Sequence, residues 1–363
     1  MSIDLKRSGW AKRALALVAT VAAVASVAAC GQMQTADQVA GNTDASNASS
    51  SCVTKENTDF TGTLRIGWQA IPNADLVVKD QKLLEACLPK AKVEWSQFNS
   101  GADTLQAFGA KSLDIALLGS SPTVKAASAP LNLPVQAVWI NDVIGEAESL
   151  VAKDGITSVK DLKGKTVAVP FGSTSHFSLL SALQNEGLSE SDVKLINLDP
   201  DKIPAAWQRG EIDAAWVWDP VQSELKKAGA KPVTSSAETA KLGAPTYDLE
   251  VAATDFIKTN PSVLETWTAV ENHAIKQVAA KDGKAIDSIA SQLGIDPDQV
   301  KQQLAGYEYP DASEQAKTFA DDLPATFKKT AEFLKQQNGI DAVGDSYDSA
   351  LYADAIEQVA KEN

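Results

Sequence analysis

Histidine is scarce in this chain. There are two, His176 and His273, far apart in the sequence, and none of the three cysteines clusters with either. That excludes the grouped Cys/His ligands of a zinc or iron centre, so no metal or cofactor is expected. Also missing are a G-x-S-x-G elbow, a P-loop and a G-x-G-x-x-G turn, so the common signatures of serine hydrolases, nucleotide triphosphatases and dinucleotide enzymes are absent. Positive charge is in deficit: 33 Lys and Arg stand against 47 Asp and Glu, for a formal charge of −14 over 363 residues. Such a surface disfavours nucleic acid and anionic lipid as partners. An anionic small molecule would have to be held by local donors against the overall field. Long apolar runs are lacking too. The first, Ala14 to Ala29, is short and alanine-rich for a membrane span.

That run does read as an export signal. Lys6, Arg7, Lys12 and Arg13 precede it, and small residues close it over Val27-Ala28-Ala29-Cys30. The pattern resembles the lipobox of bacterial lipoproteins. The resemblance implies cleavage after residue 29, a diacylglyceryl thioether on Cys30, and an extracytoplasmic protein anchored to the cell membrane; an ordinary signal peptide with a chance cysteine is the alternative. Residues 1–29 carry a net +3, which leaves −17 for the rest. From Gly31 to Ser51 the chain is Gln, Thr, Asp, Asn, Ser, Ala and Gly, with little to bury, so 30–59 is expected to be a flexible tether. If Cys30 is lipidated, Cys52 and Cys87 remain in an oxidising compartment. A bridge between them would pin the start of the body to a helix around Leu83–Leu88 and contribute roughly 3–4 kcal/mol. Otherwise Cys87 is a buried helix cysteine.

The body alternates short apolar strands with helical stretches, which predicts an α/β fold with parallel-rich sheets. Strands are expected at Leu64–Trp68, Lys92–Trp95, Leu113–Leu118, Val135–Ile140, Ser149–Ala152, Thr166–Pro170, Val193–Asn197 and Ile212–Trp218. Beyond Pro261 the chain turns helical, with Phe327, Ala331 and Leu334 on one face and a stop at Asn338-Gly339. There is one internal echo. Leu113-Asp114-Ile115-Ala116 runs to Pro122, and Ile212-Asp213-Ala214-Ala215 runs to Pro220, as two similar α/β halves would produce.

Two helix starts are candidate anion sites. Gly119-Ser120-Ser121-Pro122 follows a buried strand, and Gly172-Ser173-Thr174-Ser175-His176 follows another. Each offers hydroxyls and free N–H groups at a strand's carboxyl end, and each could equally be a plain capped helix. His176 is either an anion donor or a structural histidine. Acids accompany them: Glu146 and Glu148 before one strand, Asp219 after Trp218, and Asp248 and Glu250 around Leu249. Carboxylates beside anion donors in a cleft require a cation to balance them, which points to a zwitterion. Trp68, Trp216 and Trp218 are wall or core residues, or a cage for a quaternary ammonium.

Read together, these residues resemble the taurine-binding proteins of ATP-binding-cassette importers, within the aliphatic-sulfonate, nitrate and thiamine-precursor group of type II solute-binding proteins. The matching phrases are FNSGADTLQAFGAKSLDIALLGSSPTVKAAS from Phe98, DLKGKTVAVPFGSTSHFSLLSAL from Asp161, IPAAWQRGEIDAAWVWDP from Ile203 and LGAPTYDLEVA from Leu242. Asp219 stands where that group has a small residue, and Glu250 where an aromatic is more familiar. The resemblance implies a two-lobed fold, with residues 60–150 and 250–355 in one lobe, 151–249 in the other, and the ligand between them. It implies that Ser120 and Ser121 face Thr174, Ser175 and His176 across a sulfonate. Gln69, Glu148, Trp218, Asp219 and Asp248 complete the expected ligand set. The implied partners are taurine, a membrane permease and the membrane itself through the anchor, with the protein a monomer. A second class stays open, because thiamine-pyrimidine-synthesising enzymes share this fold.

Overall fold

The computed structural model describes residues 51–362. The expected export signal, Cys30 and most of the tether lie outside them. None of the described helices is long and apolar enough to cross a membrane.

Two sheets organise the body. The first holds β1 (Thr63–Gln69), β2 (Lys92–Phe98), β3 (Ile115–Gly119), β4 (Val135–Ile144), β10 (Tyr247–Ala253) and β11 (Tyr307–Glu308), in the order β11-β4-β10-β3-β1-β2. The second holds β5 (Glu148–Ala152), β6 (Thr166–Val169), β7 (Lys194–Asn197), β8 (Ala214–Trp218) and β9 (Lys231–Ser235), in the order β7-β6-β8-β5-β9. Strand β1 is parallel to β2 and β3, and β6 is parallel to β7 and β8. β10 runs antiparallel to β3 and β4, and β5 runs antiparallel to β8 and β9. Both sheets are therefore the same five-strand unit. β3 and β8 occupy equivalent positions and are buried at every residue, as continuous apolar runs at a sheet centre should be.

The sequence echo marks that equivalence. Asp114 takes the N–H of Arg65 on its side chain at 2.8 Å, and Asp213 takes the N–H of Thr166 at 2.9 Å. Each of these acids ties its own strand to the parallel neighbour. Their backbone carbonyls accept from Ala253 and Lys153 respectively, both at 2.9 Å.

The chain passes between sheets near Gly145 and Thr246, where the N–H of Ile144 donates to the carbonyl of Thr246 at 3.0 Å. Gly306 packs against this crossing. A Cβ on it would lie 2.5 Å from the nitrogen of Ala147, so glycine is required for that approach. The helix Leu323–Gln336 reaches back to the second sheet's layer, where the Phe333 ring meets that of Phe177 edge-on at 4.8 Å.

Cys52 and Cys87 are joined by a disulfide. Residues 52–59, counted with the tether from composition, are held to the body instead. Besides the disulfide, the N–H of Asn57 donates to the carbonyl of Cys87 at 2.8 Å, and Cys52 and Val53 pack on the core. A polar stretch stays put here because it borrows a covalent bond and a hydrophobic neighbour.

Candidate functional site

The two helix starts singled out in the sequence meet. Helix Ser120–Ala127 begins directly at the end of β3, and helix Thr174–Asn185 begins after Ser173. Ser173 caps the second helix by accepting from the N–H of His176 at 3.2 Å, and donates its own hydroxyl to the carbonyl of Pro170 at 2.7 Å. A Cβ added to Gly119 would sit 2.6 Å from the methyl of Thr174, so the helix starts touch across the two sheets. Their free N–H groups and dipoles favour negative charge in the space beside them.

That space is a cavity of about 20 Å³. Gln69, Gly119, Glu148, Thr174, Trp218, Asp248 and Tyr307 line it, with Ile71 and Ile144 as apolar wall. It is therefore both donor-rich and acidic.

Glu148 is held by hydroxyls rather than by a cation. Glu148 accepts from Thr174 Oγ1 and from Ser236 Oγ, each at 2.6 Å. Burial raises its pKa, and the hydroxyls of Ser236, Thr174, Ser175 and Ser178 oppose that rise. Asp248 is pushed up by burial first and then by the charges of Glu148 and Asp75. Gln69 donates its amide to the carbonyl of Leu117 at 3.3 Å.

Of the residues expected at the ligand, the structure brings Gln69, Glu148, Thr174, Trp218 and Asp248 into one cavity. Others stand elsewhere. Ser120 accepts from the backbone N–H of Tyr247 at 3.2 Å and ties its helix to β10. Ser175 is buried behind Thr174, against Glu148. Ser121 and His176 line a separate crevice of about 280 Å³ with Lys125 and Phe333. His176 accepts the N–H of Gly172 on Nδ1 at 3.2 Å, which puts its proton on Nε2, and its ring stacks on Phe171 at 4.7 Å. Burial, then Lys125, lowers its pKa to about 4, so it offers a neutral N–H and not a charge. Asp219 accepts from the N–H of Ser223 at 3.0 Å and from its hydroxyl at 2.5 Å. It ties down the first turn of the helix Val221–Lys227 rather than lining the cavity. The acid that looked like extra charge at the ligand is bound to a helix start.

Tyr307 and Asp142 were missed. Tyr307 lies on a two-residue strand that only pairing with β4 reveals. Asp142 had a readable sign: an acid inside the apolar strand Val135–Ile144 has to serve something.

A family model described as NMT1/THI5 like matches residues 92–285. The taurine-binding periplasmic protein of Escherichia coli (strain K12) is 36% identical over 263 residues, 71% of this chain and 81% of that protein. The chain belongs to the NMT1/THI5-like family. Among solved structures, the alkanesulfonate-binding protein SsuA from Xanthomonas axonopodis pv. citri, bound to MOPS, superposes with a TM-score of 0.66 at 24% identity, covering 80% of this chain and 96% of that one. The desulfurization enzyme DSZB superposes with a TM-score of 0.62 at 15% identity, covering 83% and 99%. The fold is thus the two-lobed α/β architecture of sulfonate-binding proteins, and it carries binding proteins and enzymes alike. The NMT1/THI5-like match starts at β2 and ends in helix Gly283–Leu293, so it takes in both helix starts and every acid of the cavity.

Proposed function

We propose that this protein is an extracytoplasmic solute-binding protein that captures taurine and hands it to an ATP-binding-cassette permease. The observation that carries this reading is the make-up of one buried cavity: two helix N-termini from opposite lobes beside the carboxyls of Glu148 and Asp248. A sulfonate suits the helix starts, and an ammonium suits the acids. The similarity to the Escherichia coli taurine-binding protein supports the same choice. Closure of the lobes over the ligand would be the state that the permease reads. A lipid on Cys30 would keep the protein at the membrane, and Cys30→Ser would then release it or leave it unprocessed.

Calorimetric titration with taurine, ethanesulfonate, glycine betaine and sulfate tests the ligand. Taurine is expected to bind most tightly, and ethanesulfonate to bind more weakly for want of an ammonium. Preference for sulfate or betaine over taurine defeats the reading. The fold's enzymes supply the other possibility, and recovering bound taurine chemically unchanged after prolonged incubation separates binding from turnover.

A further inference from the structure

Asp142 and Asp248 are direct cross-strand partners on the antiparallel pair β4 and β10. Residues paired in this way are neighbours across the ladder, and like charges there repel. Asp248 lines the cavity, and Asp142 lies behind it with no exposed surface. Neither oxygen of Asp142 has a hydrogen-bond partner, and neither does the hydroxyl of Tyr307, which lines the same cavity.

The groups that face this pair are all acidic or phenolic. Glu148 approaches from β5, Asp75 from the helix Ala74–Asp80, and Tyr307 and Tyr309 from β11 and the residues after it. No lysine, arginine or histidine of the described residues is buried among them. Two like charges paired across adjacent strands, without a cation and out of water, cannot both persist.

We infer that Asp142 and Asp248 hold a proton between them in the ligand-free protein, and that capture of an ammonium-bearing ligand expels this proton to solvent. The inference rests on the zwitterion reading of the cavity. The exchange balances: the pair goes from one negative charge to two, the entering ammonium brings one positive charge, and the proton leaves to buffer. The direction of the pair's titration agrees, since burial and neighbouring carboxylates raise both groups above the ordinary carboxylate range. Asp142 is thereby a positioning residue, acting on the ligand through Asp248. It makes the affinity for a zwitterion depend on pH while leaving that for a simple sulfonate alone.

The test is titration of the whole protein with taurine near pH 7 in buffers of different ionisation enthalpy. The slope of observed enthalpy against buffer enthalpy counts protons released, and about one per taurine is expected. Ethanesulfonate is expected to release none. Asp142→Asn should bind taurine within about tenfold of the parent with a smaller release, because one acid of the pair is gone while burial, Glu148 and Asp75 still raise Asp248. A taurine enthalpy independent of buffer in the parent overturns the inference and leaves the ligand assignment standing, as does full release from Asp142→Asn. Failure of taurine to bind removes the ligand assignment and this inference with it.

Discussion

Thr174 gives its hydroxyl proton to Glu148 at 2.6 Å. The helix start that faces the proposed sulfonate is therefore hydrogen-bonded to the acid that faces the proposed ammonium, and the two ends of the site are coupled through one side chain. Glu148 has a second donor in Ser236, itself hydrogen-bonded to Ser178 at 3.0 Å. A buried carboxylate held this way keeps its orientation whether or not a ligand is present.

This coupling sets the first prediction. Thr174→Val keeps the shape and removes one hydrogen bond to a charged group, an interaction of about 1.5–3 kcal/mol. Taurine affinity should fall about ten- to a hundred-fold, and ethanesulfonate affinity should fall less, because the lost bond acts through Glu148. Asp248→Asn and Glu148→Gln should show the same contrast more strongly. Equal losses for the two ligands in these acid variants would reject the ammonium assignment.

The second prediction concerns the approach of the lobes. Gly119 has extended rather than left-handed backbone, with φ of −58°, so any residue could adopt its conformation. Its constraint is space: an added methyl meets Thr174 across the cleft at 2.6 Å. Gly119→Ala should therefore oppose closure and weaken taurine and ethanesulfonate by the same factor, roughly tenfold or more. Thermal unfolding of the ligand-free variant should barely move if the lobes can part. A ligand-selective effect would point to direct contact instead.

Much of this was legible in the chain. Alternating short strands and helices specified the architecture, and the Leu-Asp-Ile-Ala and Ile-Asp-Ala-Ala echo marked β3 and β8, because the same aspartate bond ties β3 to β1 and β8 to β6. The two Ser/Thr-rich helix starts were visible as capping patterns. What sequence could not show was how hydroxyls are shared out. Ser120 looked free and is committed to Tyr247, and Asp219 looked like a ligand acid and is committed to Ser223. Partners of that kind come from turns and crossings distant in sequence or hidden in a cap. Tyr307 escaped because a two-residue strand has no periodicity to read.

A third prediction follows from the disulfide. Cys52 and Cys87 are 35 residues apart, and closing a loop of that size stabilises by roughly 3–4 kcal/mol in the chain-entropy model. The denatured, unreduced protein should show no free thiol from either residue. Replacing both by serine should lower the denaturation midpoint and free residues 52–59 from the body, which limited proteolysis would detect as a new cut N-terminal to β1. Two reactive thiols, or unchanged stability, would contradict the bridge.

The last prediction is that the ligand-free protein becomes more stable as pH falls from 8 to about 6. Burial raises the carboxyls of Asp75, Asp142, Asp248, Glu250 and Glu271 above their ordinary values. The folded chain keeps protons there that the unfolded chain releases above about pH 4. Their contribution is complete below the unfolded pKa and is lost as pH rises through the folded ones. His176 works the other way, since its pKa is lowered to about 4 and stability is lost as pH falls from about 6.5 towards 4. Well above pH 6.5 both it and His273, whose pKa burial also lowers, are neutral folded and unfolded, so the acids decide the sign. Each proton retained only by the folded state is worth about 1.4 kcal/mol per pH unit. Urea midpoints at pH 8, 7 and 6 measure the slope, and Glu271→Gln, which removes one buried acid from the group around Asp75, should flatten it. Midpoints that rise from pH 6 to 8 would mean that these carboxyls are ionised in the folded protein, compensated by partners that the fold does not provide.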